Sequence, residues 1–200
     1  MSVKANNLFL RELVDEDVTE NYLNWFKSGD VTSFLEVDGN SLTRMDVINY
    51  IDEGNKTGSY KMYAICLNEN NQHIGNLKVG PINKKHLVAD LVCVIGDKNY
   101  WRKGLATEAI GLGNKLAFEK FGIRKLHGQI YADNIGSIKA YCKAGWIIEG
   151  VIQGRYLVDK KPMDQILVSC NNPEYFNPAI QTNYNVDKLI ELIKFRDKII

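Results

Sequence analysis

The spacing of apolar positions changes period several times along the chain, and each change predicts an element. Alternation in "NLFLREL" (7–13) predicts a first strand. "DEDVTENYLNWFKS" (15–28) opens on carboxylates and places Val18, Tyr22, Trp25 and Phe26 at helical intervals, which predicts a helix ending near Gly29. "SLTRMDVINYIDEGN" (41–55) predicts a second helix, capped by Ser41 or Thr43 and stopped near Gly54. Three strand-like runs follow, "YKMYAICL", "QHIGNLKVGPI" and "HLVADLVCVIG", joined by the short polar turns "NENNQ" and "NKK". Connections this short predict an antiparallel meander.

After the meander the period returns to helical in "NYWRKGLATEAIGLGNKLAFEKFG" (99–122), with Gly122 as the stop. "RKLHGQIYA" then predicts a strand, "NIGSIKAYCKAG" a short helix closed by Gly145, and "WIIEGVIQGRYLVDKKPMDQILVSC" a closing hairpin. The expected fold class is therefore α/β, a mixed and largely antiparallel sheet flanked by helices. "NNPEYFNPAIQTNY" (171–184) carries two of the four prolines and predicts a linker. Beyond it, Val186, Leu189, Ile190, Ile193 and Ile200 form an apolar stripe in a C-terminal appended helix. The expected division is a main domain over 1–170 and a linker plus amphipathic helix over 171–200.

Composition narrows the function classes. A hydrophobic fraction of 45% with 24% charged residues is that of a compact soluble domain, and a net charge of +1 gives no global field for nucleic acid or an anionic membrane. No segment has the length of a secretory signal or a membrane span, so a cytoplasmic location is expected. Cys66, Cys93, Cys142 and Cys170 are widely separated and, with three histidines, form no ligand-spaced cluster; free thiols and no metal are expected.

The chemistry concentrates at Arg102, Lys103 and Gly104. Cations at a helix start oppose the dipole, whereas an anion there would be held by the backbone amides, by a glycine that admits close approach and by the two side-chain charges. A Walker loop is absent, because "GNLKVGPI" follows its second glycine with proline and isoleucine, and "WRKGLATEA" has one glycine where a dinucleotide fingerprint needs three. A phosphate or pyrophosphate is the expected guest. In "NIGSIKAYCKAGW", Asn134, Ser137 and Tyr141 fall near one helical face, ahead of Gly145 and Trp146.

These two stretches, in this order and spacing, resemble the GNAT superfamily of acyl-CoA-dependent N-acetyltransferases. The family pattern is an Arg/Gln-x-x-Gly-x-Gly/Ala loop opening a helix, then a strand, then Asn-x-x-Ser/Ala-x-x-x-Tyr-x-x-x-Gly-Phe/Trp. The likeness spans about Leu8 to Ser169, and "YWRKGLATEA" is similar to the branch containing ribosomal-protein N-terminal and amino-sugar acetyltransferases. Trp101 stands where the family pattern has Arg or Gln.

The resemblance implies acetyl-CoA as cosubstrate. The segment Arg102, Lys103, Gly104, Leu105, Ala106 and Thr107 would cradle its pyrophosphate. A splayed strand at Leu91, Val92, Cys93 and Val94 would pair with the pantetheine arm, and one of its amides would face the thioester oxygen. Asn134 and Ser137 complete the cofactor side, Tyr141 would protonate the departing thiolate, and Asp90 is the first candidate for general base, ahead of His73, His86 and His127. Glu108 is expected to complement the helix dipole.

For the acceptor, Trp25, Phe34, Glu36 and Asp38 in the N-terminal segment would hold an amine-bearing ring. "IGNLKVGPIN" and "IGDKNYW" are similar to acetyltransferases of amino sugars, which implies a small-molecule amine and, within that class, a nucleotide-linked 3- or 4-amino sugar. N-terminal acetylation of a protein and a non-catalytic acyl-CoA-binding module are the alternatives. The hairpin near "DKKPMDQILV" and the apolar tail are compatible with a homodimer.

Overall fold

A computed structural model describes residues 3–177 and 185–196, with side chains in the last segment described to Glu191. The strands are β1 (Val3–Lys4), β2 (Leu8–Glu12), β3 (Lys61–Leu67), β4 (His73–Asn83), β5 (Val88–Ile95), β6 (Lys125–Tyr131), β7 (Ile147–Val158) and β8 (Lys161–Asn171). The helices are α1 (Glu20–Lys27), α2 (Gly29–Thr32), α3 (Arg44–Thr57), α4 (Leu105–Phe121), α5 (Ile135–Lys143) and α6 (Val186–Arg196). One eight-stranded sheet has the order β1-β2-β3-β4-β5-β6-β8-β7, antiparallel at every rung except β5–β6. This is the mixed, largely antiparallel α/β sheet expected, with the helix after the linker present.

Alternation on β3 divides the molecule. Tyr63, Ile65 and Leu67 enter the larger core with α4 and α5, while Ala64 and Cys66 face a second cluster built by α1 and α3. Trp25 belongs to that second cluster, 7% exposed and edge-on to the His73 ring at 5.0 Å. Expected at the acceptor site, its indole packs α1 against β4.

Two helix boundaries also differ from the sequence reading. The acidic run 15–17 is a separate 3-10 turn, and α1 starts later, at a Thr19 cap whose hydroxyl accepts from the Tyr22 N–H. The carboxylate of Asp17 is instead taken up by Arg11 through two contacts of 2.6 Å. Helix α3 starts at Thr43, in a reciprocal capping box with Asp46, but runs past Gly54 to a left-handed Gly58. Gly54 is a packing glycine, since a Cβ there would lie 2.5 Å from the Tyr60 ring.

On α6, Leu189 and Ile190 are buried and Leu189 joins the larger core, so the stripe folds onto the main domain; the Ile193 and Ile200 side chains lie outside the described residues, as does 178–184 of the expected linker. The cysteines are free thiols, and no described helix is long and apolar enough to cross a membrane.

Candidate active site

The parallel rung between β5 and β6 is only three residues long: Val88 opposite Lys125, Ala89 opposite Leu126, and Asp90 opposite His127. Beyond Asp90, β5 continues along β4 to Ile95 while β6 continues along β8 to Tyr131, so the two strands part. The Gly96 N–H bonds Ile74 O on β4, and alternation then turns the peptide groups of Leu91, Cys93 and Ile95 into the opening. Unpaired strand amides at that place are a template for an extended amide-bearing chain.

Two side chains already use part of this edge. The Tyr141 hydroxyl, from α5, donates to Leu91 O at 2.8 Å, and the Cys93 amide faces the same hydroxyl. The indole N–H of Trp101 donates to Ile95 O at 2.7 Å and ties the start of the following loop to the end of β5. Burial, followed by the proximity of Cys93, raises the Tyr141 phenol far above its ordinary value and keeps it protonated. Burial likewise pushes the Cys93 thiol up to about 12. Trp146 stands edge-on to Tyr141 at 4.7 Å, and its indole donates to Asn114 Oδ1 at 2.9 Å, so α4 fixes the ring that fixes the phenol.

At the other end of the opening, α4 begins at Gly104 with φ of 78°, where a Cβ would meet nothing within 4 Å. Arg102 just before it is also left-handed, with φ of 61°. The first bond of the helix is Glu108 N–H to Gly104 O at 3.2 Å, so the amides of Leu105, Ala106 and Thr107 precede the ladder. Dipole, amides, an open glycine and two cations fit a diphosphate group. Lys103 stands over the Tyr100 ring at 5.1 Å. Glu108 does more than complement the dipole, since its carboxylate accepts from the Asn7 and Leu8 amides and pins the entry to β2. Asn134 caps α5, its Oδ1 accepting from the Ser137 N–H at 3.1 Å.

The faces of the sheet separate two sets of groups. Ala89, Leu91, Leu126 and Ile130 lie in the core under α4 and α5, the face from which Tyr141 approaches. Alternation places Asp90, His127, Gln129 and Tyr131 on the opposite face. There Asp90 Oδ1 meets His127 Nδ1 at 2.9 Å, with their side chains 30% and 40% exposed. The hydrogen bond that His127 donates to Asp90 raises the His127 pKa against the opposing effect of burial. His73, by contrast, is a half-buried ring bonded to Gly75 O and Asn76 Oδ1, with its pKa lowered by burial, and His86 sits in the β4–β5 turn.

The acceptor-side expectations divide. Glu36 Oε1 accepts from the Tyr131 hydroxyl at 2.5 Å, and Phe34 packs on the same ring at 5.7 Å. Asp38 instead stabilises its own turn by accepting from the Asn40 N–H at 3.0 Å. Phe34 also lines a cleft of about 590 Å³ with Asp30, Ser33, Lys98, Trp101 and Arg102. Tyr131 stacks on Tyr156 at 3.7 Å, and Gln165 bridges Tyr156 to Gln129. Sequence reasoning missed Tyr131, Tyr156, Gln129 and Gln165. The polar alternation in "KLHGQIY" was the available signal for a strand with one polar face. Among the described residues, no group of three or more His, Cys, Asp or Glu side chains is placed to hold a metal ion.

Known proteins are similar to this chain in sequence and fold. The chain is 22% identical over 181 residues to a probable N-acetyltransferase of Bacillus subtilis, YjcK, covering 86% of this chain and 98% of that protein. Its fold is similar to that of a Vibrio cholerae spermidine N-acetyltransferase solved with CoA and spermine, at a TM-score of 0.75 and 17% identity over 85% of this chain and 98% of that one. It is equally similar to a ribosomal-protein-S5-alanine acetyltransferase from Vibrio fischeri, at a TM-score of 0.75 and 15% identity over 88% and 100% of the two chains. The family model described as an acetyltransferase (GNAT) domain matches residues 7–147, the span holding the parted strands, the Gly104 loop and Tyr141. The chain thus belongs to the GNAT acetyltransferases and is an acetyl-CoA-dependent N-acetyltransferase.

Proposed function

We propose that the protein transfers the acetyl group to a primary amine of a small molecule, most specifically an amino sugar carried on a nucleotide, by direct attack in a ternary complex. The observation carrying this reading is that Tyr141 and the Asp90–His127 pair approach the same parting of strands from opposite faces. Acetyl-CoA supplies an activated acyl group and a thiolate leaving group. The residues 102–107 hold its diphosphate, Asn134 and Ser137 border its arm, and the β5 edge from Leu91 to Val94 pairs with the arm's amides.

Within that frame each group has one role. The Cys93 N–H, which faces the Tyr141 hydroxyl in the free protein, turns to the oxygen on which negative charge develops as Tyr141 turns to the sulfur. Tyr141 moves its proton from Leu91 O toward the sulfur, and because the wedge is apolar, a thiolate there is destabilised along with a phenolate. The amine is deprotonated on the acceptor face, where Asp90 lies. Phe34 and the Tyr131–Tyr156 stack offer flat apolar surface to a sugar or base, and Glu36 offers a carboxylate to an ammonium.

Thiol release from acetyl-CoA, measured with nucleotide-linked amino sugars, spermidine and short peptides with free amino termini, tests the acceptor. Turnover confined to amino sugars supports the proposal. Turnover confined to peptides replaces it with N-terminal acetylation, and acetyl-CoA binding without thiol release from any acceptor replaces it with the binding module.

A further inference from the structure

We infer that His127, and not Asp90, is the group that takes the proton from the attacking amine, with Asp90 acting as the residue that positions the imidazole; this deepens the acetyl-transfer reading above and rests on it. The pair forms at the last rung before β5 and β6 part, so both side chains stand at the vertex of the opening. Asp90 Oδ1 occupies Nδ1 of His127 at 2.9 Å. A carboxylate accepts, so Nδ1 carries the proton and the neutral ring presents the lone pair of Nε2. Asp90 Oδ1 is committed to Nδ1, and the His127 side chain is the more exposed of the two, 40% against 30%.

The surroundings favour a ring that can cycle its charge. Besides Asp90 on β5, the charged groups facing His127 are Lys125 on its own strand, which disfavours the imidazolium, and Glu149 on β7, which favours it. Lys125 and Glu149 are themselves paired, so their effects largely offset, and Asp90 remains the dominant influence. Ser169, opposite on β8, is uncharged.

The proton balance closes. The ammonium gives its first proton to Nε2, from which it passes to solvent. The free amine forms the C–N bond to the thioester carbon, and the C–S bond breaks. The second proton leaving nitrogen replaces the one that Tyr141 gives to the thiolate, so the products are the N-acetyl amide, the thiol of CoA and one proton.

Two variants separate the roles. His127→Asn keeps a donor where Nδ1 stood, and so keeps the contact to Asp90, but has no Nε2. Asp90→Asn keeps the imidazole and removes its charge partner. The inference predicts that His127→Asn lowers kcat by about 10²-fold or more with the folded state intact and the His127 contribution to the acid limb of the pH profile abolished. It predicts that Asp90→Asn moves that limb to lower pH while retaining more activity than His127→Asn; the acceptor's own titration is the same in both. Near-normal kcat in His127→Asn, or a loss in Asp90→Asn exceeding that in His127→Asn, would overturn it. An NMR titration of His127 in the free protein is independent of any acceptor. A pKa above the ordinary imidazole value that falls in Asp90→Asn supports the pair, and a pKa unmoved by that substitution contradicts it even if the acetyl-transfer reading stands.

Discussion

The hydroxyl of Tyr141 donates to the main-chain carbonyl of Leu91 across 2.8 Å, which puts a phenol from α5 inside the gap where β5 leaves β6. Replacing Tyr141 by Phe removes the proton donor and leaves the ring that packs on Trp146. The expected result is a fall in kcat of about 10²-fold with acetyl-CoA affinity nearly unchanged, read by steady-state kinetics beside calorimetric binding. An unchanged kcat would remove Tyr141 from the chemistry.

Gly104 tests the phosphate cradle. Its φ of 78° is a conformation that costs a residue with a side chain about 1–2 kcal/mol, although its Cβ would meet nothing in the free protein. Gly104→Ala is expected to lower the melting temperature by a few degrees and, on the proposed reading that the loop holds the diphosphate, to raise KM for acetyl-CoA far more than that loss accounts for. A KM that does not move would place the diphosphate elsewhere.

Trp25 and Glu36 separate packing from recognition. Trp25→Ala empties a buried site in the cluster of α1 and α3, and about 3–5 kcal/mol of stability should be lost in urea unfolding. Glu36→Gln should unfold at the same urea concentration and raise KM for the amine by about tenfold, the worth of one charged hydrogen bond, with KM for acetyl-CoA unchanged. The reverse pattern would move the acceptor site away from Tyr131.

Acid stability should depend on Asp17. Burial would raise its pKa, but the hydrogen bonds from Arg11 and the Val14 amide outweigh burial and hold it below the usual carboxylate value. A carboxyl depressed on folding stabilises the protein above its unfolded pKa, and that stability is lost as pH falls through the folded one. Asp17→Asn should therefore lose less stability than the parent chain between about pH 5 and pH 2, seen as a smaller drop in urea midpoint. His73, whose pKa is lowered by burial and partly restored by the Asp17 charge, weakens the protein as the pH falls below about 6.5 and does so more in Asp17→Asn, so the two proteins are compared from pH 5 downward.

The fold was legible in the sequence wherever period and turn length agreed, as in the meander from Lys61 to Ile95 and the stop of α4 at Gly122. Boundaries failed where a residue with a local signature is committed to a tertiary contact. Gly54 reads as a stop but makes room for Tyr60, and Asp17 reads as a helix start but holds Arg11. The candidate site was legible in the same uneven way. Gly104, Asn134 and Tyr141 fall within short motifs, whereas pairing Asp90 with His127 requires a register between two strands with the whole of α4 between them in the chain, which no local pattern contains. Trp25 reads as a ligand platform in the sequence and packs in the second cluster in the structure, since an aromatic residue in a helix carries the same signal whether it faces a cleft or a core.

The proposed function requires acetyl-CoA to lie along the free edge of β5 with its diphosphate at the start of α4. Titrating acetyl-CoA into uniformly 15N-labelled protein and following the amide resonances tests this directly. Saturable shifts are expected at Leu91, Cys93 and Ile95 and through residues 102–107, with β2 and β3 unaffected. Saturable binding that leaves those amides unmoved, or no binding at all, would contradict it.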